Sequence, residues 1–155
     1  METLTQGEQM AVTAVAGGFL GASAAIAIAI YVLLVIADWK IFTKAGEKGW
    51  KSIIPIYNIY ISFKIVGMKV WFWPLLIISL VQSIISSVAG EQATVTLIAG
   101  VIAAIIGLVA YILFCGKTAK AFGKGTGYAV GIFFFPNIFT LILGFGSAKY
   151  EGIQE

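Results

Sequence analysis

Long apolar runs alternate with short lysine-bearing stretches along the chain. Three runs, residues 11–37, 70–88 and 93–115, are long enough to be transmembrane helices, since a bilayer core requires about 20 apolar residues. A fourth run, 129–145, is shorter and is interrupted by Pro136-Asn137. The pattern predicts an all-α integral membrane protein with about four transmembrane helices, in which the fourth run either crosses the membrane or is re-entrant.

The run at 53–67 differs from the others because it contains Pro55, Asn58 and Lys64. About 15 residues form a helix of ~22 Å, whereas the hydrocarbon core is ~30 Å thick. We therefore expect a short interfacial or re-entrant helix. Asn58 and Ser62 would share one face, and Lys64 would point away from it and need a partner or a path to water. An interfacial amphipathic helix and a cavity-lining segment with a buried, hydrogen-bonded Asn58 both remain open.

Lysine-rich segments separate these runs and predict the topology. They are a basic turn at 38–52 and a basic loop at 116–128, and a mixed tail occupies 146–155. Lysine-rich loops favour the cytoplasmic side, so we expect both segments on the cytoplasmic side of the cell membrane and the N-terminus on the outer side. The side of the C-terminus depends on whether 129–145 crosses. Tryptophans are enriched at membrane interfaces, and four are expected to anchor the protein to lipid: Trp39, Trp50, Trp71 and Trp73.

Small and polar residues recur at helical spacing within the predicted spans. Gly17 and Gly21 form a GxxxG pair, and Gly100 and Gly107 lie about two turns apart on a later predicted helix. Small residues allow helices to approach closely in lipid, either within the chain or between copies in a homo-oligomer. Gln82 lies on a serine-rich stripe that indicates helix–helix hydrogen bonding or a polar pathway.

The two halves of the chain show a weak internal repeat. Each half has an apolar helix, a basic glycine-containing turn and an apolar segment interrupted by proline and asparagine: Pro55 and Asn58 in the first, Pro136 and Asn137 in the second. Interrupted helices at matching positions of a repeat occur at transporter binding sites. The candidate buried polar or structural residues are therefore Pro55, Asn58, Ser62, Lys64, Gln82, Pro136 and Asn137.

Composition supports lipid as the solvent and narrows the chemistry. The 155 residues are 60% hydrophobic and only 11% charged, against about 25% charged in soluble domains, which indicates one membrane domain. All ten basic side chains are lysines and the net charge is +3, and the lack of arginine argues against nucleic-acid binding. The carboxylates are predicted at helix ends or in tails, and no catalytic motif is present. We therefore expect no enzyme, cofactor or metal site.

Three functions fit these observations. The preferred hypothesis is a non-enzymatic membrane protein that acts by assembly, as a scaffold, accessory subunit or homo-oligomer, with lipids and either a second copy or another membrane protein as partners. The alternatives are a small channel or transporter that uses the broken segments around Asn58 and Asn137, and an interfacial lipid-binding protein.

Two longer stretches carry a family resemblance: KAGEKGWKSIIPIYNIYISFKIVGMKVWFWPLL, and AKAFGKGTGYAVGIFF followed by ILGFGSAKYEG. Over about residues 38–152, the chain resembles a domain-of-unknown-function family of small polytopic prokaryotic membrane proteins. It is also similar to the N-terminal membrane module of some bacterial type I signal peptidases. That resemblance does not imply peptidase activity here, because the enzyme holds its Ser nucleophile and Lys base in a large extracytoplasmic β-domain that this chain has no segment to form.

Overall fold

The computed structural model describes residues 5–88 and 93–153, and over these residues the chain is helical without strands. The elements are α1 (Gln6–Lys44), a 3-10 turn (Gly49–Ser52), α2 (Pro55–Ile65), α3 (Lys69–Val88), α4 (Ala93–Ala121), α5 (Thr126–Phe134) and α6 (Pro136–Phe145). The predicted all-α class is confirmed for this part of the chain. Residues 154 and 155 of the predicted tail lie outside the described residues.

Three helices in the described ranges are long and apolar enough to cross a membrane: Gly21–Lys44, Lys69–Val88 and Thr96–Ala121. Each contains or overlaps one of the three long predicted spans, so a membrane location is compatible with the fold. The fourth predicted span, 129–145, is instead divided between two short helices, α5 and α6.

Helices α1 and α4 both extend beyond their predicted ends. The predicted basic turn from residue 38 is helical through Lys44, and the predicted loop from residue 116 is helical through Ala121. Lysine is a good helix former, so charge alone does not end a helix. Both ends instead lie at left-handed glycines, Gly46 (φ 78°) and Gly123 (φ 62°). The following amides, of Glu47 and Lys124, donate hydrogen bonds five residues back, each at 2.8 Å, which closes the last helical turn.

Helices α5 and α6 form a hairpin that reverses at Phe135. This residue precedes Pro136 and has φ −133° and ψ 60°, because a residue before proline is disfavoured in the α conformation. The Tyr128 hydroxyl donates to the Phe139 carbonyl at 3.0 Å across the hairpin. Gly131 faces the Phe139 ring so closely that a Cβ on Gly131 would overlap it. The proline therefore reverses the chain direction as well as interrupting the helix.

The C-terminal end of α6 lies against the C-terminal end of α1. Gly144 packs directly on the backbone of Ala37, which is fully buried. The Lys44 ammonium donates to the carbonyls of Leu143 at 2.6 Å and Gly146 at 2.8 Å. A cation is favourable at the carbonyl end of a helix, so Lys44 caps α6.

The tail joins two further helix ends to this region. The Tyr150 hydroxyl donates to the Ile65 carbonyl at 2.6 Å, at the end of α2, and the Glu151 amide donates to the Ala121 carbonyl at 2.8 Å, at the end of α4. The C-termini of α1, α2, α4 and α6 therefore meet, and we call this region the lysine end. The chain's ten lysines all lie in the helix ends and loops that compose or adjoin it.

The hydrophobic core lies at the lysine end. Phe42, Ile61, Val66, Met68 and Phe122 are each at most 2% exposed and belong to one cluster. Nearer the N-terminus of α1, by contrast, every residue from Gly21 to Leu33 is exposed. The fold thus consists of a packed end from which long apolar helices project.

Candidate functional site

A polar cluster connects α1, the 3-10 turn and α2. The Asn58 amide nitrogen donates to the Asp38 carboxylate at 2.9 Å and to the Ser52 carbonyl at 3.2 Å. The Ser62 hydroxyl donates to the Asn58 side-chain oxygen at 3.3 Å. Both amide hydrogens and the amide oxygen of Asn58 are therefore used, and one side chain links three segments.

Local sequence accounts for the position of Asn58. Pro55 is the first residue of α2. An amide hydrogen at this position has no partner within the helix, so its absence in proline costs no helical hydrogen bond. Asn58 follows within the first turn and Ser62 lies one turn later on the same face, as the periodicity predicted. Asn58 is half-buried and hydrogen-bonded. This environment is compatible with the prediction of a cavity-lining segment.

Asp38 was missed by sequence reasoning. The expectation that all carboxylates lie at helix ends or in tails is wrong for this residue, because α1 continues to Lys44 and Asp38 lies inside it. Its side chain is half-buried. One signal was present in the sequence: Asp38 is the first charge after the apolar run 11–37 and stands immediately before Trp39 and Lys40.

Glu47 was also missed, and it joins the turn after α1 to α2. Its carboxylate accepts hydrogen bonds from Lys51, four residues later, and from Lys64 at 2.6 Å. The pKa of Glu47 is below its ordinary value of 4.5, mainly because Lys51 donates a hydrogen bond to the carboxylate and secondly because Lys64 does. The bond to Glu47 correspondingly raises the pKa of Lys64.

The structure does not bury every residue predicted to be a buried polar group. Lys64 finds the partner it required, but its side chain is 46% exposed. Pro136 and Asn137 are exposed at the hairpin, so the expectation of a buried Asn137 is wrong. Pro55 is exposed, and Gln82 is half-buried with its amide nitrogen 3.5 Å from the position of a Cβ on Gly100.

The predicted anchor and packing residues are mostly at the surface. The four tryptophans Trp39, Trp50, Trp71 and Trp73 are between 37% and 59% exposed. Gly17 and Gly21 have nothing within 4 Å of an added Cβ in the described chain, and the same holds for Gly107. Gly100 is the exception among the predicted packing glycines, since it faces Gln82 across the α3–α4 contact.

Two cavities adjoin the polar cluster. One has a volume of about 160 Å³ and lies among α1, α2, α4, α5 and α6, with Asp38 and Ser62 in its wall. The other has a volume of about 390 Å³ and lies among α2, α3 and α4, with Asn58, Ser62 and Tyr111 in its wall. Ser62 and Phe114 line both cavities. The cluster therefore lies where a small ligand could reach its polar groups.

These features define a helical protein whose described part includes three helices suited to a membrane and a polar cluster near their packed end. The chain belongs to the DUF5684 family, a family of unknown function, whose model matches residues 50–153. The predicted membership of a family of unknown function is thus confirmed. The match includes Asn58 and Ser62 and begins after Asp38. Comparisons with curated proteins and with solved structures give no significant match.

Proposed function

We propose that this protein is a non-enzymatic integral membrane protein that acts by assembly, as a scaffold, an accessory subunit or a homo-oligomer. The supporting observation is the exposed part of α1. Every residue from Gly21 to Leu33 is exposed, a length of roughly 20 Å at 1.5 Å per residue. This exposed surface of α1 is available for contact with lipid or with another protein.

The small residues of α1 suit a protein partner. Lipid tails are as apolar as leucine, so helices associate in membranes through close packing over small residues rather than through a hydrophobic force. Gly17 and Gly21 meet nothing within 4 Å in the described chain. Packing among the described residues therefore does not account for this pair, and we assign it to contact with a second copy or with another membrane protein.

The first test is the mass of the complex that the tagged protein forms after gentle extraction from native membranes. A discrete oligomer or a stoichiometric partner supports the proposal, and the mass distinguishes the two. A monomer without a partner contradicts it.

The second test uses a matched pair of substitutions on α1. Gly21→Leu should dissociate the complex because a large side chain separates the helices. Ala27→Leu adds the same side chain on a different face of α1, about 120° around the helix from Gly21 at 3.6 residues per turn, and should leave the complex intact. Both positions are exposed, so the fold should be unaffected, and equal loss of assembly in both variants would contradict the proposal.

The proposed orientation places the lysine end in the cytoplasm and the N-terminus outside the cell membrane. This assignment rests on the preference of lysine-rich loops for the cytoplasmic side and on the convergence of four helix C-termini at that end. The hairpin of α5 and α6 would then be re-entrant, and the exposed tryptophans would contact lipid headgroups. We also propose that the chain is related, in its membrane part alone, to the N-terminal membrane module of some bacterial type I signal peptidases.

A small channel or transporter is the second candidate, and the two cavities that share Ser62 favour it. Solute flux into liposomes should then be lost in Asn58→Ala. Asn137→Ala should retain flux because Asn137 is exposed away from both cavities. Equal flux in protein-free liposomes would contradict this candidate.

A further inference from the structure

The cavity of about 160 Å³ combines one carboxylate with hydroxyls and aromatic rings. Its polar lining consists of Asp38 and the hydroxyl residues Ser62, Thr118 and Thr140. Phe114 and Phe139 contribute rings, and the remaining wall is aliphatic. These groups come from α1, α2, α4 and α6, so only the folded chain assembles them.

The carboxylate in this cavity lacks a cationic partner. Among the described residues, no lysine ammonium lies within 4 Å of Asp38. The hydrogen bond from Asn58 uses only part of the capacity of a carboxylate, which has about four lone-pair sites. A half-buried carboxylate in apolar surroundings is unfavourable until it is paired, so a bound cation would be stabilised here.

The neighbouring hydroxyls are oriented as acceptors. Thr118 donates its hydrogen to the Phe114 carbonyl at 2.7 Å, and Ser62 donates its hydrogen to the Asn58 side-chain oxygen at 3.3 Å. Their oxygens therefore retain lone pairs for a ligand that donates hydrogen bonds. Together with Asp38, they form a set of acceptors that suits a cation with N–H groups and disfavours an anion.

The apolar part of the wall favours an organic cation over a metal ion. Hard divalent ions take six or more oxygen ligands, more than these four side chains provide without water. Aromatic rings attract cations over their faces, and the aliphatic side chains can cover methylene groups. A cavity of about 150 Å³ is known to accept benzene, so this cavity has room for about six non-hydrogen atoms.

We propose that the cavity lined by Asp38, Ser62, Thr118 and Thr140 binds a small primary alkylammonium ion. The ammonium group lies against Asp38 and the hydroxyl oxygens, and the alkyl chain lies against Phe114, Phe139 and the aliphatic wall. This site is independent of the proposed assembly through α1, because no residue of the exposed part of α1 lines it.

Calorimetric titration of the full chain in nanodiscs with butylammonium tests the proposal. Butylammonium should bind the wild type at least about tenfold more tightly than 1-butanol, a neutral molecule of similar shape, because hydrogen bonds to charged groups are the stronger ones. Sodium ion should not compete. Absence of binding, equal binding of 1-butanol, or displacement by sodium would each overturn the proposal.

Variants locate the site. Asp38→Asn should weaken butylammonium binding by about tenfold or more, whereas Glu47→Gln removes the same charge outside the cavity and should leave binding unchanged. Thr140→Val provides a second test if Asp38→Asn is poorly folded, since the Thr140 hydroxyl makes no hydrogen bond among the described residues and its replacement should weaken binding without unfolding. Unchanged binding in both Asp38→Asn and Thr140→Val would overturn the assignment.

Discussion

At the scale of single residues, Asn58 shows how one side chain links distant segments. It donates to Asp38 in α1 and to Ser52 in the 3-10 turn, and it accepts from Ser62 in its own helix. The second asparagine of the weak repeat, Asn137, is exposed at the hairpin. The two residues were equivalent in the sequence pattern, and their different surroundings make them a matched pair for mutation.

Asn58→Ala should lower the free energy of unfolding by about 1–3 kcal/mol, because it leaves the Ser52 carbonyl and one Asp38 oxygen without their donor. Asn137→Ala should change it by less than about 0.5 kcal/mol, as expected for an exposed position. Thermal or denaturant unfolding in mild detergent measures both. Equal effects of the two substitutions would show that the Asn58 contacts do not stabilise the fold.

Glu47 makes the stability of the fold depend on pH. Its pKa in the folded protein is below the ordinary 4.5 because Lys51 and Lys64 donate to it, so its stabilising contribution is present above pH 4.5 and is lost as pH falls through the lower folded value. The stability difference between wild type and Glu47→Gln should be largest near neutral pH, should shrink as the pH falls below 4.5, and should vanish once Glu47 is protonated in the folded protein.

Salt provides the control for this prediction. Lys64 is 46% exposed, so the ion pair is screened and its contribution should shrink in concentrated salt. A difference between wild type and Glu47→Gln that is independent of both pH and salt would mean that packing, rather than charge, explains the effect.

Residue patterns predicted part of this site. The pairing of Asn58 with Ser62 follows from helical spacing, and the need of Lys64 for a partner follows from its position in an apolar helix. The partners themselves did not follow. Asp38 is 20 residues from Asn58, and Glu47 is 17 residues from Lys64, so finding them required both the true end of α1 and the direction in which α2 returns.

At the scale of elements, the contact between α1 and α6 depends on small residues. Gly144 lies where an added Cβ would be 2.7 Å from the Cα and the carbonyl oxygen of Ala37. Backbone atoms cannot move aside as a flexible side chain can. This close approach also brings the end of α6 within reach of the Lys44 ammonium.

Gly144→Ala should therefore destabilise the protein by about 1–3 kcal/mol through overpacking and should increase hydrogen exchange in α6. Gly127→Ala is the matched control, because an added Cβ there meets nothing within 4 Å, and it should be neutral or stabilising by about 0.5–1 kcal/mol as for glycine in a helix. A neutral Gly144→Ala would contradict the packing of α6 on α1.

At the scale of the whole molecule, the hairpin determines the side on which the tail emerges. Helix α5 has 9 residues, or ~13 Å, which is less than half of a hydrocarbon core of ~30 Å. The hairpin begins after the end of α4 and returns to the end of α1. The loop before it and the tail after it are therefore expected on the same side of the membrane.

Cysteine labelling tests this topology. In a Cys115→Ala background, which removes the chain's one cysteine, Lys124→Cys and Lys149→Cys should react with a membrane-impermeant thiol reagent from one side. Ser87→Cys, at the far end of α3, should react from the other side. All three positions are exposed. Labelling of Lys124→Cys and Lys149→Cys from opposite sides would contradict the re-entrant hairpin.

The sequence by itself determined the helical class, the three long apolar helices, the short helix after residue 53 and the interruption at Pro136. These properties depend on hydropathy, periodicity and proline geometry, which act over a few neighbouring residues. Only the tertiary structure decided that 126–145 folds back, that Asp38 lies in a cavity wall and that Lys44 caps α6. Those contacts join residues that are up to 102 positions apart. Their formation depends on how closely backbones approach, as at Gly131 and Gly144, which local patterns do not encode.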